Sequence, residues 1–352
     1  MSPRVLLRRL ALGLLTLWLV SLVVFAAVVA LPGDAATAIL GREATPDRVA
    51  ALREQLHLDE GVVQQYLQWL GGLLFGDLGD SAATQQPVGE LLSTRVWNSA
   101  FLVFVASVVA IPLSLLLGVW TAMRRDRVVD HVTSTITLVL AALPEFVIGI
   151  LLILLFATGL MHLFPAVSLV PPGMHAWQDP QVVVLPAATL VLAVTPYISR
   201  IMRGSMIEVL ESEYVTMARL KGLPERTVIW RHAVPNAVVP AIQVTALQLA
   251  WMAGGVVLVE FVFQYPGIGA ALVDAVANRD MPVVQAVTML AAAIYVALNL
   301  LADIATILVT PKLRTAGRGA TRSTSRCSRR RSRRPRRSSA ASGSTRCAAR
   351  AG

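Results

Sequence analysis

The chain has 352 residues, of which 55% are hydrophobic and only 15% are charged, and this composition excludes an ordinary soluble globular protein. The formal net charge of +10 is uneven, because 14 of the 31 basic residues lie in 312–352, where there is no acid; residues 1–311 therefore hold 17 basic against 21 acidic residues. The basic excess thus gives no indication of nucleic-acid binding by the body, and because Cys327 and Cys347 both lie in the same tail, the body has neither a disulfide framework nor a cysteine-based metal site.

Long runs with almost no charge recur along the chain, and about 20 such residues suffice to cross a bilayer as a helix. They are Leu10–Leu31, Val96–Met123, Val132–Met161, Gln181–Ser199, a fifth within His232–Val259 beyond Pro240, and Met281–Ala302 with an extension towards Thr310. The first run follows basic residues, as a signal peptide would, but it is too long for a signal core and we interpret it as a retained helix. The sequence therefore predicts six transmembrane helices.

The distribution of Lys and Arg between the loops indicates the orientation of these spans, since basic residues concentrate on the cytoplasmic side. Basic residues cluster at the N-terminus, in the second-to-third loop and in the fourth-to-fifth loop; they are Arg4, Arg8, Arg9, Arg124, Arg125, Arg127, Arg200, Arg203, Arg219, Lys221, Arg226 and Arg231. The third-to-fourth loop has no Lys or Arg, and the fifth-to-sixth has only Arg279. Both termini are therefore predicted to lie in the cytoplasm.

The first outer segment, residues 32–95, has apolar residues at helical spacing. They are Val49, Leu52, Leu56, Val63, Leu67 and Leu70. Thr45 before Pro46 is typical of a helix start, with Pro at the first helical position. We expect short helices on or near the outer surface.

One acidic residue, Glu145, interrupts the third run beside Pro144. A carboxylate at membrane depth costs about 2.5–3.5 kcal/mol on insertion scales and normally faces a cavity or a partner. Two interpretations stay open: Glu145 lines a translocation path, where it could meet a substrate amine, or it bonds to a neighbouring helix. The prolines inside the runs (Pro112, Pro144, Pro186 and Pro196) are interpreted as packing kinks.

The cytoplasmic segment 200–236 is charged and predicts two helices with a break between them. The first is expected over about Arg203–Lys221, with Ile207, Leu210, Tyr214 and Met217 along one face. Gly222 suits the left-handed position that ends a helix, and Pro224 suits the start of the next. Such a segment either lies on the inner leaflet as an amphipathic anchor or docks on a soluble partner.

The stretch "TMARLKG" followed by "HAVP" resembles the cytoplasmic signature of ABC-importer permeases, Glu-Ala-Ala-x3-Gly-x9-Ile-x-Leu-Pro. Ala218, Gly222, Val234 and Pro235 are in register with it, whereas Thr216, Met217 and His232 depart from it. The dipeptide/oligopeptide branch reads "YVxxARxKGL". The residues that match this form are Tyr214, Val215, Ala218, Arg219, Lys221, Gly222 and Leu223.

The resemblance extends over residues 4–314 through blocks in the right order, including "LREQLHLDE", "YPGIGAALVDAVANRDMPVVQ" and "VTPKLR". It implies an all-α integral membrane protein with the type I ABC-importer permease fold, six transmembrane helices and cytoplasmic termini. The domains would be 1–31 (N-terminal stub and first helix), 32–95 (outer helical segment), 96–311 (five further spans with the coupling loop 200–236) and 312–352 (tail).

The function implied by the resemblance is that of a permease subunit in the inner membrane of a bacterium, without enzymatic activity, cofactor or bound metal. It would form the path for di- or oligopeptides, nickel or a related small solute. Its implied partners are a paralogous permease, two cytosolic ATPases, an extracytoplasmic solute-binding protein and membrane lipid. The implied ATPase-coupling residues are Glu213, Tyr214, Ala218, Arg219, Lys221, Gly222, Leu223 and Pro235.

An ATP-driven mechanism would need an external motor, because a phosphate-binding P-loop requires Gly-Lys-Ser/Thr, and the two lysines, Lys221 and Lys312, follow Leu220 and Pro311. An ion-coupled secondary transporter is the alternative, kept open by Glu145 and Asp303. An intramembrane enzyme is not favoured, because the chain has no H-E-x-x-H and no G-x-S-x-G, and its five histidines are scattered.

The tail, residues 312–352, is low-complexity Arg/Ser sequence that predicts disorder. Two interpretations stay open. It either adheres to anionic lipid of the inner leaflet or results from a frameshift or read-through just past Arg314.

Overall fold

The computed structural model describes residues 3–30, 45–55, 61–159, 162–170, 174 and 176–309, and in this part of the chain every regular element longer than a single bridge is a helix. The α-helices in chain order are α1 (Pro3–Ala30), α2 (Pro46–Gln55), α3 (Val62–Phe75), α4 (Val88–Met123), α5 (Val128–Ala142), α6 (Glu145–Leu152), α7 (Gln181–Leu210), α8 (Glu213–Leu220), α9 (Glu225–Thr227), α10 (Val234–Phe263), α11 (Ile268–Ala277) and α12 (Met281–Val309). Two π-helical segments, Ile153–Gly159 and Val228–Ala233, continue α6 and α9. The predicted all-α class is confirmed.

Helix α7 lies at the centre of the molecule. In its most apolar stretch 78% of the residues are buried, against 11% for α1, so most of the surface of α7 is covered by other helices. Helix α4 approaches it closely at Gly118, where an added Cβ would lie 2.7 Å from the Ser199 carbonyl oxygen. Small residues at such a crossing let two backbones pack tightly, as is common between membrane helices. Side chains of α4, α7 and α10 complete the main core; they include Leu102, Leu190, Ile198, Met252 and Phe263.

Within the part of the chain that the structure describes, five helices are long and apolar enough to cross a membrane, and two bent pairs raise the number to as many as seven. The predicted count of six falls within this range and stays a prediction, as do the orientation and the two termini. The five are Leu7–Ala30, Val88–Met123, Gln181–Leu210, Glu225–Met252 and Met281–Leu301.

The third predicted span, Val132–Met161, is not one continuous helix. It consists of α5 and of α6 with its π-helical extension, bent by 110° at Leu143–Pro144. Pro144 forces the preceding residue out of the helical region, and Leu143 is indeed extended at φ −89°, ψ 133°. The interpretation of Pro144 as a packing kink is therefore wrong, whereas Pro112, Pro186 and Pro196 do lie inside helices.

The second bent pair joins Gly254–Phe263 of α10 to α11 at an angle of 73°. The chain turns at Gln264, which has a positive φ of 51°. The predicted fifth run ended at Val259, whereas α10 continues to Phe263 and includes Glu260.

The outer segment contains the predicted short helices α2 and α3, and α2 begins at Pro46 as expected. Helix α3 packs against α1: the Ser21 and Tyr66 hydroxyls are 2.9 Å apart, and the rings of Phe25 and Trp69 are 5.8 Å apart. The tail, on which the prediction of disorder falls, lies outside the described residues.

Candidate functional site: the cytoplasmic turn and a cleft beside Glu145

The predicted single helix over Arg203–Lys221 is wrong, because α7 ends at Leu210 and α8 starts at Glu213. Ser212, the residue before α8, is extended at φ −71°, ψ 149°, which breaks the helical path. The Ser212 hydroxyl donates to the Val209 carbonyl, an example of the local side-chain bond with which Ser competes against helix continuation. Ile207 and Leu210 therefore do not share one helix face with Tyr214 and Met217.

Helix α8 ends as predicted at Gly222, whose φ is +76°. The Gly222 N–H donates to the Arg219 carbonyl at 2.9 Å, and the Leu223 N–H donates to the Ala218 carbonyl at 3.4 Å. These two bonds form a Schellman motif, which satisfies carbonyls left open at a helix C-terminus. No described atom lies within 4 Å of a Cβ added to Gly222, so the backbone conformation alone requires glycine there.

A two-pronged ion pair spans this turn. Arg219 donates from Nε to Glu225 Oε2 at 3.2 Å and from Nη2 to Glu225 Oε1 at 2.7 Å. The hydrogen bond to Glu225 raises the pKa of Arg219 above its ordinary value, so the guanidinium is always charged. Both side chains are about half exposed. Because its ion-pair partner lies in the same turn, Arg219 stabilises the turn to which it belongs.

The two faces of α8 differ sharply in burial. Val215 and Ala218 are buried and pack with Val228, Val209 and Leu210. Other apolar side chains of α8 and of the turn after it are exposed: Tyr214 (46%), Met217 (59%), Leu220 (77%) and Leu223 (38%). We call these four residues the apolar docking face. The sequence analysis identified one apolar face, with Tyr214 and Met217, and its spacing did not show that Val215 and Ala218 would be the buried residues of α8.

The predicted coupling residues are brought together in part. Glu213, Tyr214, Ala218, Arg219, Lys221, Gly222 and Leu223 all belong to α8 or to its C-terminal turn, and only Ala218 among them is buried. Pro235 lies instead in the first turn of α10, exposed.

Two ion pairs that the sequence analysis did not anticipate attach this segment to the body. Arg203 binds Asp130 with Nε–Oδ1 and Nη2–Oδ2 distances of 2.7 Å each, and Asp130 is only 2% exposed. Arg125 pairs with Glu211, at the break between α7 and α8. The start of α5 is therefore linked to the last turns of α7, and the α4–α5 connection to Glu211 directly after α7.

Glu145 is half buried in the first turn of α6, with its carboxylate towards α10. The position that a Cβ on Gly255 would occupy lies 3.7 Å from Glu145 Oε1 and 3.5 Å from Trp251 Cη2. Gly255 and Trp251 line an open cleft of about 390 Å³ between α10 and α12, together with Leu247, Gln248, Ala250, Gly254, Tyr295 and Asn299.

Glu260, which the sequence analysis missed, is fully buried at the α10–α11 bend. Its carboxylate accepts hydrogen bonds from Ser99 Oγ and from the N–H groups of Gly269, at 2.7 Å, and Ala270. Ser99 in turn accepts the Ile268 N–H at 2.9 Å, and Asn98 donates to the Pro266 carbonyl at 3.0 Å. We call this network the Glu260 knot.

Metal ligation was not predicted for the body. Within the described ranges, no three His, Cys, Asp or Glu side chains are grouped so as to hold a metal ion.

The family described as "Binding-protein-dependent transport system inner membrane component" matches residues 114–315, and the family for the N-terminal part of such membrane components matches residues 2–108. The chain belongs to this family. The two matches together cover nearly the whole body. Glu145, the turn after α8 and Glu260 lie inside the first, and Asn98 and Ser99 of the Glu260 knot lie inside the second.

Curated relatives of this permease align along nearly their whole length. A probable peptide ABC transporter permease of Sinorhizobium fredii is 37% identical over 309 residues, which are 88% of this chain and 98% of the relative. The glutathione transport system permease proteins of Salmonella typhi and Escherichia coli K12 are 35% and 34% identical over 304 residues, or 86% of this chain and 96% of each relative.

Family membership confirms the resemblance seen in the sequence. The protein is a multi-pass component of the bacterial inner membrane and a permease of an ABC importer, not an enzyme. As a family member it associates with ATPase and substrate-binding partners.

Proposed function

We propose that this permease forms the translocation path for small peptides, either di- or oligopeptides or glutathione, together with a paralogous permease, and that separate ATPase subunits drive it through the turn at α8. The names of the relatives supply the substrate class, since a peptide permease and glutathione permeases match it to a similar degree. Glutathione is itself a tripeptide, so the shared chemistry is a short peptide. An ion-coupled secondary transporter is not favoured by family membership.

The observation that carries ATPase coupling is the apolar docking face. Tyr214, Met217, Leu220 and Leu223 expose apolar side chains on α8 and the turn after it. This element is held in shape by the Gly222 cap and by the packing of Val215 and Ala218 against the rest of the chain. Apolar patches that a rigid element presents to water mark protein–protein contact sites. An amphipathic anchor on the inner leaflet is the other occupant that this face could have.

Leu220→Asp tests the proposal at the most exposed residue of the docking face. Leu220 is 77% exposed, so the substitution leaves the core intact, but it places a charge where the ATPase would contact the permease. We expect the ATPase to be lost from the purified complex and ATP-dependent peptide uptake in proteoliposomes to fall at least about tenfold, which corresponds to roughly 1.4 kcal/mol.

Val128→Asp is the matched control, because Val128 is also 77% exposed and lies at the start of α5, on the same predicted side of the membrane. It should retain both the ATPase and uptake. If Leu220→Asp weakens lipid association but leaves the ATPase bound, the face is a membrane anchor. Full uptake with normal ATPase retention would exclude α8 as the coupling element.

A further inference from the structure

We propose that Glu145 and the cleft between α10 and α12 form a subsite for an organic ammonium group, such as the amino group of a transported peptide. This inference rests on the proposed function for the identity of the substrate, and on the geometry of Glu145, Trp251 and Gly255 for the site itself.

The carboxylate and the indole lie close together beside Gly255. A Cβ added to Gly255 would lie 3.5 Å from Trp251 Cη2 and 3.7 Å from Glu145 Oε1, so both groups border the wall of the cleft at this glycine. An ammonium ion is recognised by this pair of groups: a carboxylate supplies a charge-assisted hydrogen bond, and an aromatic ring attracts the cation to its face.

The remaining lining residues extend the same chemistry. Gln248, Asn299 and Tyr295 add amide and phenol groups to a wall that is otherwise apolar. A volume of about 390 Å³ falls in the range of small-molecule sites, which are mostly apolar with a few convergent polar groups. One carboxylate with neutral oxygens and an aromatic ring fits an organic cation better than a transition metal, which prefers several imidazole, thiolate or carboxylate ligands.

The location explains why a charge is retained in so apolar a segment. Glu145 follows Pro144 at the 110° bend, and the segments on both sides are apolar. An acidic residue inside a membrane segment ordinarily faces the bundle interior or a water-filled cavity. Glu145 is itself only partly buried and its carboxylate lies next to Gly255, which lines the open cleft, so a cationic solute in the cleft would come close to it.

Cysteine labelling tests the subsite without any transport. In the assembled transporter, with Cys327 and Cys347 replaced by Ser, Gly255→Cys is labelled by a trimethylammonium or a sulfonate methanethiosulfonate reagent of similar size. We expect the cationic reagent to be favoured, and the cation-to-anion ratio of labelling rates to fall about tenfold when Glu145→Gln is added. Glu145→Asp keeps the charge and should hold the ratio within about twofold, and Glu90→Gln, an exposed acid elsewhere, should leave it unchanged.

Peptide uptake then identifies the source of the ammonium group. Three peptides are compared in proteoliposomes: one with a free N-terminus and no lysine, its N-acetylated form, and an N-acetylated peptide containing lysine. Because the preference of the binding protein is the same for both permeases, it cancels in the ratio of Glu145→Gln to wild-type uptake. A loss of about tenfold confined to the free N-terminus indicates the α-amino group, and a loss shared by the lysine peptide indicates any ammonium group.

The two proposals fail separately. A labelling ratio that is insensitive to Glu145→Gln, or a Gly255→Cys variant that neither reagent labels, would overturn the subsite even if peptide uptake is normal. An equal loss of uptake for all three peptides would likewise indicate a structural role for Glu145. A ratio that responds as expected in a transporter that moves no peptide would keep the cation subsite and overturn the proposed function.

Discussion

The turn that follows α8 and the Glu260 knot both lie at bends between helices, but they are built in opposite ways. The turn is made from residues close in sequence: the Gly222 cap and the Arg219–Glu225 pair lie within eight residues, and most of their atoms are exposed. The knot joins Asn98 and Ser99 to residues 260–269, more than 160 positions away, and is buried. The turn gives an exposed surface a fixed shape, whereas the knot fastens α4 to the bend between α10 and α11.

Because they are built differently, we expect the two bends to have different roles. A locally closed turn can move as a unit against a partner, because few of its bonds run to distant parts of the chain. A buried network of carboxylate, hydroxyl and backbone N–H groups is costly to open, because each donor left unpaired loses its hydrogen bond away from water. We therefore expect damage at the turn to impair transport and damage at the knot to impair the fold.

Membrane topology is the test with the largest expected effect, because each reporter fusion reports either the cytoplasm or the outside. If the turn faces the ATPases, reporter fusions at residues 128 and 215 should report the cytoplasm, and fusions at residues 60 and 170 should report the outside. The expectation follows from the concentration of basic residues at the N-terminus and in the second-to-third and fourth-to-fifth loops. A cytoplasmic signal at residue 60 would contradict the predicted orientation of the first two spans.

Glu260→Ala should have the largest effect on stability. It removes the acceptor of Ser99 Oγ, Gly269 N–H and Ala270 N–H at a fully buried position, at about 1–3 kcal/mol for each donor left unpaired. We expect a marked decrease in the Tm of the detergent-purified permease and in its yield from membranes. Glu208→Ala, which removes an exposed acid from α7, should leave Tm nearly unchanged. Equal Tm values for the two variants would show that the knot does not stabilise the fold.

Gly222→Val should uncouple transport while leaving the fold intact. A residue with a side chain at φ +76° costs about 1 kcal/mol as Ala and more when β-branched, so the Schellman turn should open and shift the docking face. We expect strongly reduced ATP-dependent uptake, weaker retention of the ATPase and normal membrane insertion.

Gly204→Ala is the matched control for Gly222. Gly204 lies inside α7, and like Gly222 it has no described atom within 4 Å of an added Cβ. Its replacement should stabilise the helix by about 0.5–1 kcal/mol, opposite in sign to Gly222→Ala. Normal uptake and ATPase binding in Gly222→Val would mean that the shape of this turn does not transmit motion.

The sequence predicts the locally built turn better than the Glu260 knot, which depends on contacts between distant residues. Gly222 and Pro224 are local signals of a helix end and a helix start, and the structure has both where expected. The break at Ser212 was missed because Ser is compatible with a helix, and only its bond to Val209 shows the competition. Glu260 was missed because its partners at Ser99 and Gly269 are brought to it by the fold, which no local pattern reveals.

The third span shows both sides of this limit. Pro144 was interpreted as a packing kink inside one span, whereas the structure has a 110° break there, because the size of such a bend depends on what packs around it. The cleft beside Glu145 is likewise formed by α10 and α12, more than 100 residues further along the chain. A single acidic residue in an apolar run predicts a specific role for that residue. Its surroundings, however, are formed by helices distant in sequence, which a local pattern does not reveal.

Exchange of the charges in the Arg219–Glu225 pair is the subtlest test, since exposed ion pairs contribute only about 0–1 kcal/mol. The sequence analysis expected Arg219 at the ATPase surface, whereas the structure pairs it within its own turn. Arg219→Glu alone should lower uptake modestly, because it places two acids opposite each other, and the loss should shrink at high salt.

If Arg219 acts by bracing the turn, the double change Arg219→Glu with Glu225→Arg restores the pair and should recover most of the uptake. If the guanidinium instead contacts the ATPase directly, the double variant stays as impaired as the single one, and the coupling surface then includes Arg219 as well as the apolar docking face.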